Sequence, residues 1–149
     1  MHRFRAALIG LSMAASVAAA GCGAATPAAQ AAAPLYKVTI LRDGASRNLP
    51  PLRAALTGKS AVLALYRDVY AVKPAPRPFI YMCPLDLGVS YRLTFDLAGK
   101  ITSVDVDGSG CRFIHLPGGK ELWSSTPSGD AFWADLGRIL RLSPVQLRG

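Results

Sequence analysis

The stretch of sequence that decides the fold is YRLTFDLAGKITSVDVDGSGCRFIHL, residues 91–116. Apolar and polar side chains alternate from Tyr91 to Leu97, which is the pattern of a β-strand with one buried face. The three residues that follow predict a tight hairpin turn, and a return strand continues through Thr102, Val104 and Val106. Gly108-Ser109-Gly110 predicts a second turn, and a third strand follows it. Three consecutive strands joined by short turns predict an antiparallel meander.

Elements on the N-terminal side of the meander extend the predicted domain. The alternation of residues 36–42 predicts a first strand, whereas residues 45–56 predict a connector with at most a short extended piece at 52–56. Thr57 is a suitable N-cap for a helix, and that helix must end before Pro74. The apolar face of this helix consists of Val62, Leu65, Tyr66, Val69 and Val72.

The C-terminal part predicts a second helix and completes the fold class. This helix starts at Thr126-Pro127 or Ser128, and residues 121–125 are open between a short strand and a loop. Its apolar stripe consists of Phe132, Leu136, Ile139 and Leu140, with Trp133 beside it. The order β-α-β-β-β-α over residues 35–149 predicts a single α+β domain, in which two helices pack on an antiparallel sheet of three to four strands.

The N-terminal residues predict an export signal rather than a folded element. Arg3 and Arg5 precede an uncharged apolar stretch, residues 6–20, which has the length of a signal-peptide core and is too short for a transmembrane helix. Residues 1–21 are therefore predicted to be a signal peptide that is absent from the mature protein.

The end of this signal resembles the lipobox of bacterial lipoproteins. Ala19-Ala20-Gly21 places small residues directly before Cys22, with Ala19 at the position where that motif usually has leucine. The resemblance predicts that Cys22 is lipidated, and the composition of residues 22–34 predicts a flexible Ala/Pro tether. Ordinary signal cleavage, after Ala20 or after Ala33, is the alternative and would give a secreted protein.

The cysteine count predicts one disulfide. The chain has three cysteines, so lipidation of Cys22 leaves Cys83 and Cys111. An exported protein meets an oxidising environment, in which two such thiols normally pair. The alternatives are a nucleophile, which would need a base, or a metal ligand, which would need further ligands.

The residues around these two cysteines form a recognisable motif. It runs Cys83-Pro84-Leu85-Asp86-Leu87-Gly88, continues into the strand from Tyr91, and closes at Gly110-Cys111. It resembles a group of small exported bacterial proteins, labelled hypothetical lipoproteins, with the pattern Cys-Pro-x-Asp-x-Gly-x-x-Tyr-x-Leu-x-Phe and a later Gly-Cys. The resemblance covers residues 62–111 and implies a lipoprotein, but no activity, ligand or catalytic residue. Structurally, Asp86 would cap turn amides and Gly88 would adopt positive φ.

The histidine, aspartate and glutamate residues occur in no pattern that predicts a catalytic residue, a metal ligand or a cofactor. His115 is the only histidine outside the signal, and a single strand histidine is typical of a surface or packing position. Residues 105–110 resemble the first half of a calcium loop, but Leu116 stands where a bidentate glutamate is needed. Glu121 is the only glutamate and would require an aspartate partner for carboxylate chemistry. The sequence therefore predicts a protein that is not an enzyme.

The surface predicts a binding role. The net charge is +8, but the basic residues are dispersed, so nucleic acid is not a predicted partner. The basic charge suits anionic lipid or wall polymer, and an ordinary solvated surface is the alternative. A stiff proline segment followed by large apolar residues is the candidate partner surface. Its residues are Pro76, Arg77, Pro78, Phe79 and Tyr81, although Phe79 and Tyr81 would alternatively join the core.

These patterns predict a non-catalytic binding or interaction module on the extracytoplasmic face of the cell membrane. The N-terminal lipid would contact the membrane, and the partner would be an envelope protein or a small ligand. Two alternatives are kept: a small secreted protease inhibitor that uses the segment Arg77 to Cys83 as a stiff loop, and a small-ligand carrier. For the inhibitor, substitution of Arg77 is expected to abolish inhibition.

Overall fold

The structure of this protein is a computed structural model, and residues 35–43, 49–75 and 82–148 are described. The predicted signal peptide, Cys22 and the tether of residues 22–34 lie outside the described residues. The elements are β1 (Tyr36–Asp43), β2 (Leu52–Thr57), α1 (Lys59–Ala71), β3 (Ser90–Leu97), β4 (Lys100–Asp107), β5 (Phe113–His115), β6 (Glu121–Trp123), a 3-10 turn (Pro127–Gly129), α2 (Asp130–Leu140) and α3 (Pro144–Arg148). The fold is α+β, as predicted.

The strands form one antiparallel sheet in the order β2-β1-β3-β4-β5-β6. The predicted meander is confirmed, because β3 pairs with β4 along its whole length and β4 pairs with β5. The prediction of three to four strands is wrong, because the sheet has six. β2 pairs with β1 over six residue pairs, and β6 pairs with β5 over three.

Both additional strands have weak local signals. β2 follows two prolines and contains two alanines, which have little intrinsic preference for strands. Its pairing with β1 supplies the backbone hydrogen bonds that its composition does not predict. β6 has three residues, a length at which alternation cannot be recognised.

One face of the sheet carries the core. Inward residues of the strands pack with the apolar faces of α1 and α2 into a single cluster. The largest fully buried side chains include Tyr91, Phe95, Phe132, Ile40, Leu65 and Leu93. The opposite face carries polar side chains such as Arg92, Thr94 and His115. The sheet is therefore amphipathic, and the helices pack on its apolar face.

The helices differ from the prediction at their ends and in number. The apolar face of α1 is confirmed, but its N-cap is Gly58, at φ 100°, rather than Thr57. Thr57 is the last residue of β2 and pairs with Lys37. The next residue, Gly58, has a positive φ, which glycine adopts far more readily than other residues. The prediction of two helices is also wrong, because a third, α3, follows α2. Its five residues are too few to show a helical period.

Tertiary contacts with the sheet hold α3 in place. The hydroxyl of buried Tyr91 donates a hydrogen bond to the carbonyl of Leu147 at 2.7 Å. Arg42, only 7% exposed, donates to the carbonyls of Pro50 at 3.0 Å and Gln146 at 3.4 Å. The C-terminal turn is thus fastened to β1 and β3 through polar groups at the edge of the core.

Candidate functional site

The predicted disulfide is present and shapes the most exposed apolar surface among the described residues. Cys83 and Cys111 are bonded, with Cα atoms 4.8 Å apart. Cys83 belongs to a segment without regular secondary structure, residues 82–89, which we call the disulfide loop. Met82 is 97% exposed and Leu85 is 80% exposed, so two large apolar side chains flank the cystine in contact with water.

A buried serine holds the base of the disulfide loop. The Ser109 side-chain oxygen accepts hydrogen bonds from the amides of Leu87 at 2.9 Å and Val89 at 3.3 Å. Its hydroxyl donates to the Asp86 carboxylate at 2.7 Å. Ser109 is 6% exposed, so these bonds are shielded from competing water and restrain the loop strongly.

The predicted roles of Asp86 and Gly88 are confirmed. The Asp86 carboxylate accepts a hydrogen bond from the Gly88 amide at 2.9 Å, and Gly88 has φ 67°. The hydrogen bond from Ser109, followed by that from the Gly88 amide, lowers the pKa of Asp86 below its usual value. Asp86 is therefore a carboxylate at neutral pH that organises the turn between Leu85 and β3.

The turn after β4 is shaped to receive the loop. Gly110 has φ 61°, and a Cβ atom added there would lie 3.3 Å from Cβ of Asp86. Gly108 donates its amide hydrogen to the Val89 carbonyl at 2.7 Å. The disulfide loop is thus joined to residues 108–111 by one covalent bond and a set of short hydrogen bonds.

A shallow groove of about 320 Å³ runs beside the cystine. Its walls include Met82, Leu85, Leu87, Arg112, Trp123 and Ser125. The Arg112 side chain donates a hydrogen bond to Ser125 at 3.0 Å and lies over the ring of Trp133, with its carbon 5.6 Å from the ring centroid. The groove therefore has an apolar rim on the loop side and an oriented polar wall on the sheet side.

The predicted partner surface lies outside the described residues. It consists of Pro76, Arg77, Pro78, Phe79 and Tyr81. Met82, which is exposed, follows them directly in the sequence and is the first residue of the disulfide loop. Met82 and Leu85 are the two most exposed large apolar side chains among the described residues.

The residues considered for chemistry lie on the open face of the sheet and contact one another. Nε2 of His115 is 3.0 Å from an oxygen of Asp107, and Nδ1 is 3.5 Å from an oxygen of Glu121. Asp105 forms a salt bridge with Arg92, in which Nε of Arg92 lies 2.7 Å from Oδ1 of Asp105. Both carboxylates of the calcium-like segment thus contact other side chains. Within the described residues, no group of three or more acidic, histidine or cysteine side chains is placed to hold a metal ion.

Ser109 is the residue of the site that the pattern analysis missed. Its only signal is a small polar residue between two glycines directly before a cysteine, which also describes an ordinary turn. The hydrogen bonds that distinguish it come from residues 87 and 89, which are about twenty positions earlier in the chain.

Comparison with known proteins adds no relative. A scan of the sequence against protein-family models found no match, and searches of curated proteins and of solved structures found none either. Within the described residues, no helix has both the length and the apolar character needed to span a bilayer.

Proposed function

We propose that this protein is an exported, lipid-anchored binding module that acts at the cell envelope without chemistry of its own. The observation that carries the proposal is the exposure of Met82 and Leu85 on a loop whose backbone is restrained by a disulfide and by Ser109. Exposed large apolar side chains cost solubility, so their presence on a rigid support favours a contact with a protein partner.

The anchor and the contact are tested separately. For the anchor, Cys22→Ala is expected to move the full chain from the membrane fraction to the soluble extracytoplasmic fraction, because the acylated thiol is lost. For the contact, a photo-crosslinking amino acid at position 85 is compared in living cells with one at position 101. Ile101 is also exposed, at 69%, but it lies on β4, away from the loop.

The proposal expects one discrete crosslinked product from position 85 that is absent from position 101. The same product is expected to weaken in the Cys83→Ser/Cys111→Ser variant, in which the loop loses its covalent restraint but keeps the hydrogen bonds of Ser109. Equal labelling from both positions would contradict a specific contact through this loop.

One specific observation favours inhibition of a peptidase as the form of this contact. Peptidases place one substrate side chain in a primary pocket. The disulfide loop exposes Leu85 to solvent, and bonds at Cys83, Leu87 and Val89 tie both sides of Leu85 to the domain. A restrained loop loses little conformational entropy on binding, and its two ends would stay together if it were cut. The structure thus supports an inhibitory loop at 82–89, whereas the prediction for Arg77 lies outside the described residues.

The inhibitor hypothesis is tested with the purified full chain and peptidases of defined specificity. We expect inhibition of a serine peptidase that cleaves after large apolar residues, and loss of inhibition by about 100-fold or more in Leu85→Asp. Leu85→Lys is expected to transfer inhibition to a peptidase that cleaves after basic residues, and Ile101→Asp serves as the matched control. Rapid cleavage of the native loop without inhibition would dismiss the hypothesis.

A further inference from the structure

A second cleft, separate from the disulfide groove in all its lining residues, lies at the opposite end of the β3–β4 hairpin. It has a volume of about 420 Å³. Two tyrosines of α1, the start of β4 and the turn between β5 and β6 enclose it. Its lining residues are Tyr66, Tyr70, Leu97, Lys100, Thr102, Leu116, Pro117 and Lys120.

The tyrosines provide a fixed aromatic wall. Tyr66 and Tyr70 are one helical turn apart, and their ring centroids are separated by 4.5 Å at an interplanar angle of 35°. Tyr66 is in turn packed edge-on against buried Phe95, with centroids 5.2 Å apart. Tyr70 remains 42% exposed. One ring is therefore anchored in the core, and the other offers aromatic surface to the cleft.

The hydroxyl of Tyr70 stays protonated at neutral pH. Partial burial, followed by the neighbouring Tyr66 hydroxyl, raises the pKa of Tyr70 above its ordinary value of 10.0. Hydrogen bonds of Tyr70 with the hydroxyls of Tyr66 and Thr102 bring three hydroxyl groups together at the cleft. Such groups suit a ligand that carries hydroxyls of its own.

Two lysines from different turns supply positive charge. Lys100 is the first residue of β4. Lys120 lies directly before β6, in a turn that is closed by a 2.8 Å hydrogen bond from the Leu116 amide to the Lys120 carbonyl. Among the described residues, neither lysine forms an ion pair, and no carboxylate lines the cleft. Two unpaired ammonium groups beside the same cleft attract an anion.

We propose that this cleft binds an anionic saccharide. The sugar ring would pack on the exposed face of Tyr70, its hydroxyls would hydrogen-bond with Tyr70 and Thr102, and its acidic group would lie between Lys100 and Lys120. A carboxylate and a phosphate offer the lysines the same chemistry, so either acidic sugar satisfies the site. No residue of the disulfide loop lines this cleft.

The test measures binding of defined sugars to the purified full chain by isothermal titration calorimetry. The probes are a glucuronic acid disaccharide, which carries carboxylates, and glucose 6-phosphate. The neutral disaccharide maltose and inorganic phosphate are the comparisons. At least one acidic sugar is expected to bind about tenfold or more tightly than both comparisons, with affinity falling as salt rises. The acidic sugar that binds more tightly identifies the acidic group that the site prefers.

Variants then assign the binding to the cleft. Tyr70→Ala, Lys100→Ala and Lys120→Ala are each expected to weaken binding by about tenfold, through loss of ring packing or of one charged contact. Lys59→Ala is the matched control, because Lys59 also lies near a tyrosine, 5.5 Å from the Tyr36 ring centroid, but outside the cleft. Inorganic phosphate binding as tightly as both acidic sugars, no binding by either, or equal weakening in Lys59→Ala would overturn the proposal.

Discussion

At the scale of single residues, Ser109 shows how one buried hydroxyl can order a loop. It accepts from two amides of the disulfide loop and donates to Asp86, so three polar groups depend on one side chain. The cost of removing such a hub is set by the groups left without a partner rather than by the bonds alone. The exposure of Leu85 is useful to a binding partner only while this hub keeps the loop in one conformation.

The first prediction concerns this hub. Ser109→Ala is expected to lower the free energy of unfolding by about 1–3 kcal/mol, because the amides of Leu87 and Val89 lose their acceptor. Chemical denaturation of the oxidised protein measures the change. Ser103→Ala is the control, since Ser103 is exposed and its 3.0 Å contact with Thr94 is on the open face. A loss no larger than that of the control would show that the disulfide alone holds the loop.

At the scale of elements, the contact between α1 and α2 contains a pair of like charges. Burial, followed by hydrogen bonding and repulsion from the Asp135 carboxyl, raises the pKa of Asp68 above its ordinary value of 3.8. Arg67 and Arg138 oppose the shift without cancelling it. The two helices therefore pack with an electrostatic penalty when both carboxyls are ionised.

The second prediction follows from the sign of this shift. A carboxyl whose pKa is raised in the folded state adds stability below its unfolded pKa, and that stability is lost as the pH rises through the folded pKa. Asp68→Asn is thus expected to gain stability over wild type as the pH rises above the unfolded pKa of about 4, by at most about 1 kcal/mol at this partly exposed site. Denaturation curves measured from below this pKa to neutral pH test it. Asp105→Asn, which removes an attractive contact with Arg92, should not become more stable than wild type.

The third prediction concerns α3, which depends on tertiary bonds. Tyr91→Phe removes the 2.7 Å bond to the Leu147 carbonyl and leaves that acceptor beside the core. We expect a loss of about 1–2 kcal/mol in stability and faster hydrogen exchange of the α3 amides. Exchange of the β3 and β4 amides, which follows global unfolding, is the internal reference. Acceleration confined to the sheet would contradict the assignment of Tyr91 as the anchor of α3.

At the scale of the whole molecule, the disulfide closes the open end of the β3–β4 hairpin. It connects the segment before β3 to the turn after β4, across a separation of 28 residues. On this frame the domain carries two unrelated surfaces, the disulfide loop and the Tyr66–Tyr70 cleft, at separate ends of the same hairpin. The proposed protein contact and the proposed ligand contact can thus be altered independently.

The fourth prediction concerns this frame. Replacement of both Cys83 and Cys111 by serine is expected to lower the free energy of unfolding by about 3–4 kcal/mol, because the unfolded chain regains the entropy of the opened loop. Denaturation of the oxidised protein and the variant measures it. Sugar binding at the Tyr66–Tyr70 cleft is expected to persist while the variant stays folded. A variant as stable as wild type would show that non-covalent bonds alone hold the meander.

The sequence by itself determined the elements whose signals are local. Alternation over seven or eight residues predicts β1, β3 and β4, and helical spacing of apolar residues predicts α1 and α2, because burial of one face imposes that period. The pairing of Cys83 with Cys111 was predicted from the cysteine count together with the assignment of Cys22 to the lipid anchor, and the Asp86–Gly88 turn followed from the conformations that these residue types favour.

Only the tertiary structure decided the features that depend on distant partners. β2, β6 and α3 have too short or too weak a pattern, and they exist because β1, β5 and Tyr91 supply their hydrogen bonds. Ser109 became part of the loop when folding brought residues 87 and 89 to it. The cleft beside Tyr70 arose in the same way, since its lysines come from two different turns. A linear pattern records which face of an element is buried, but it does not record which elements meet.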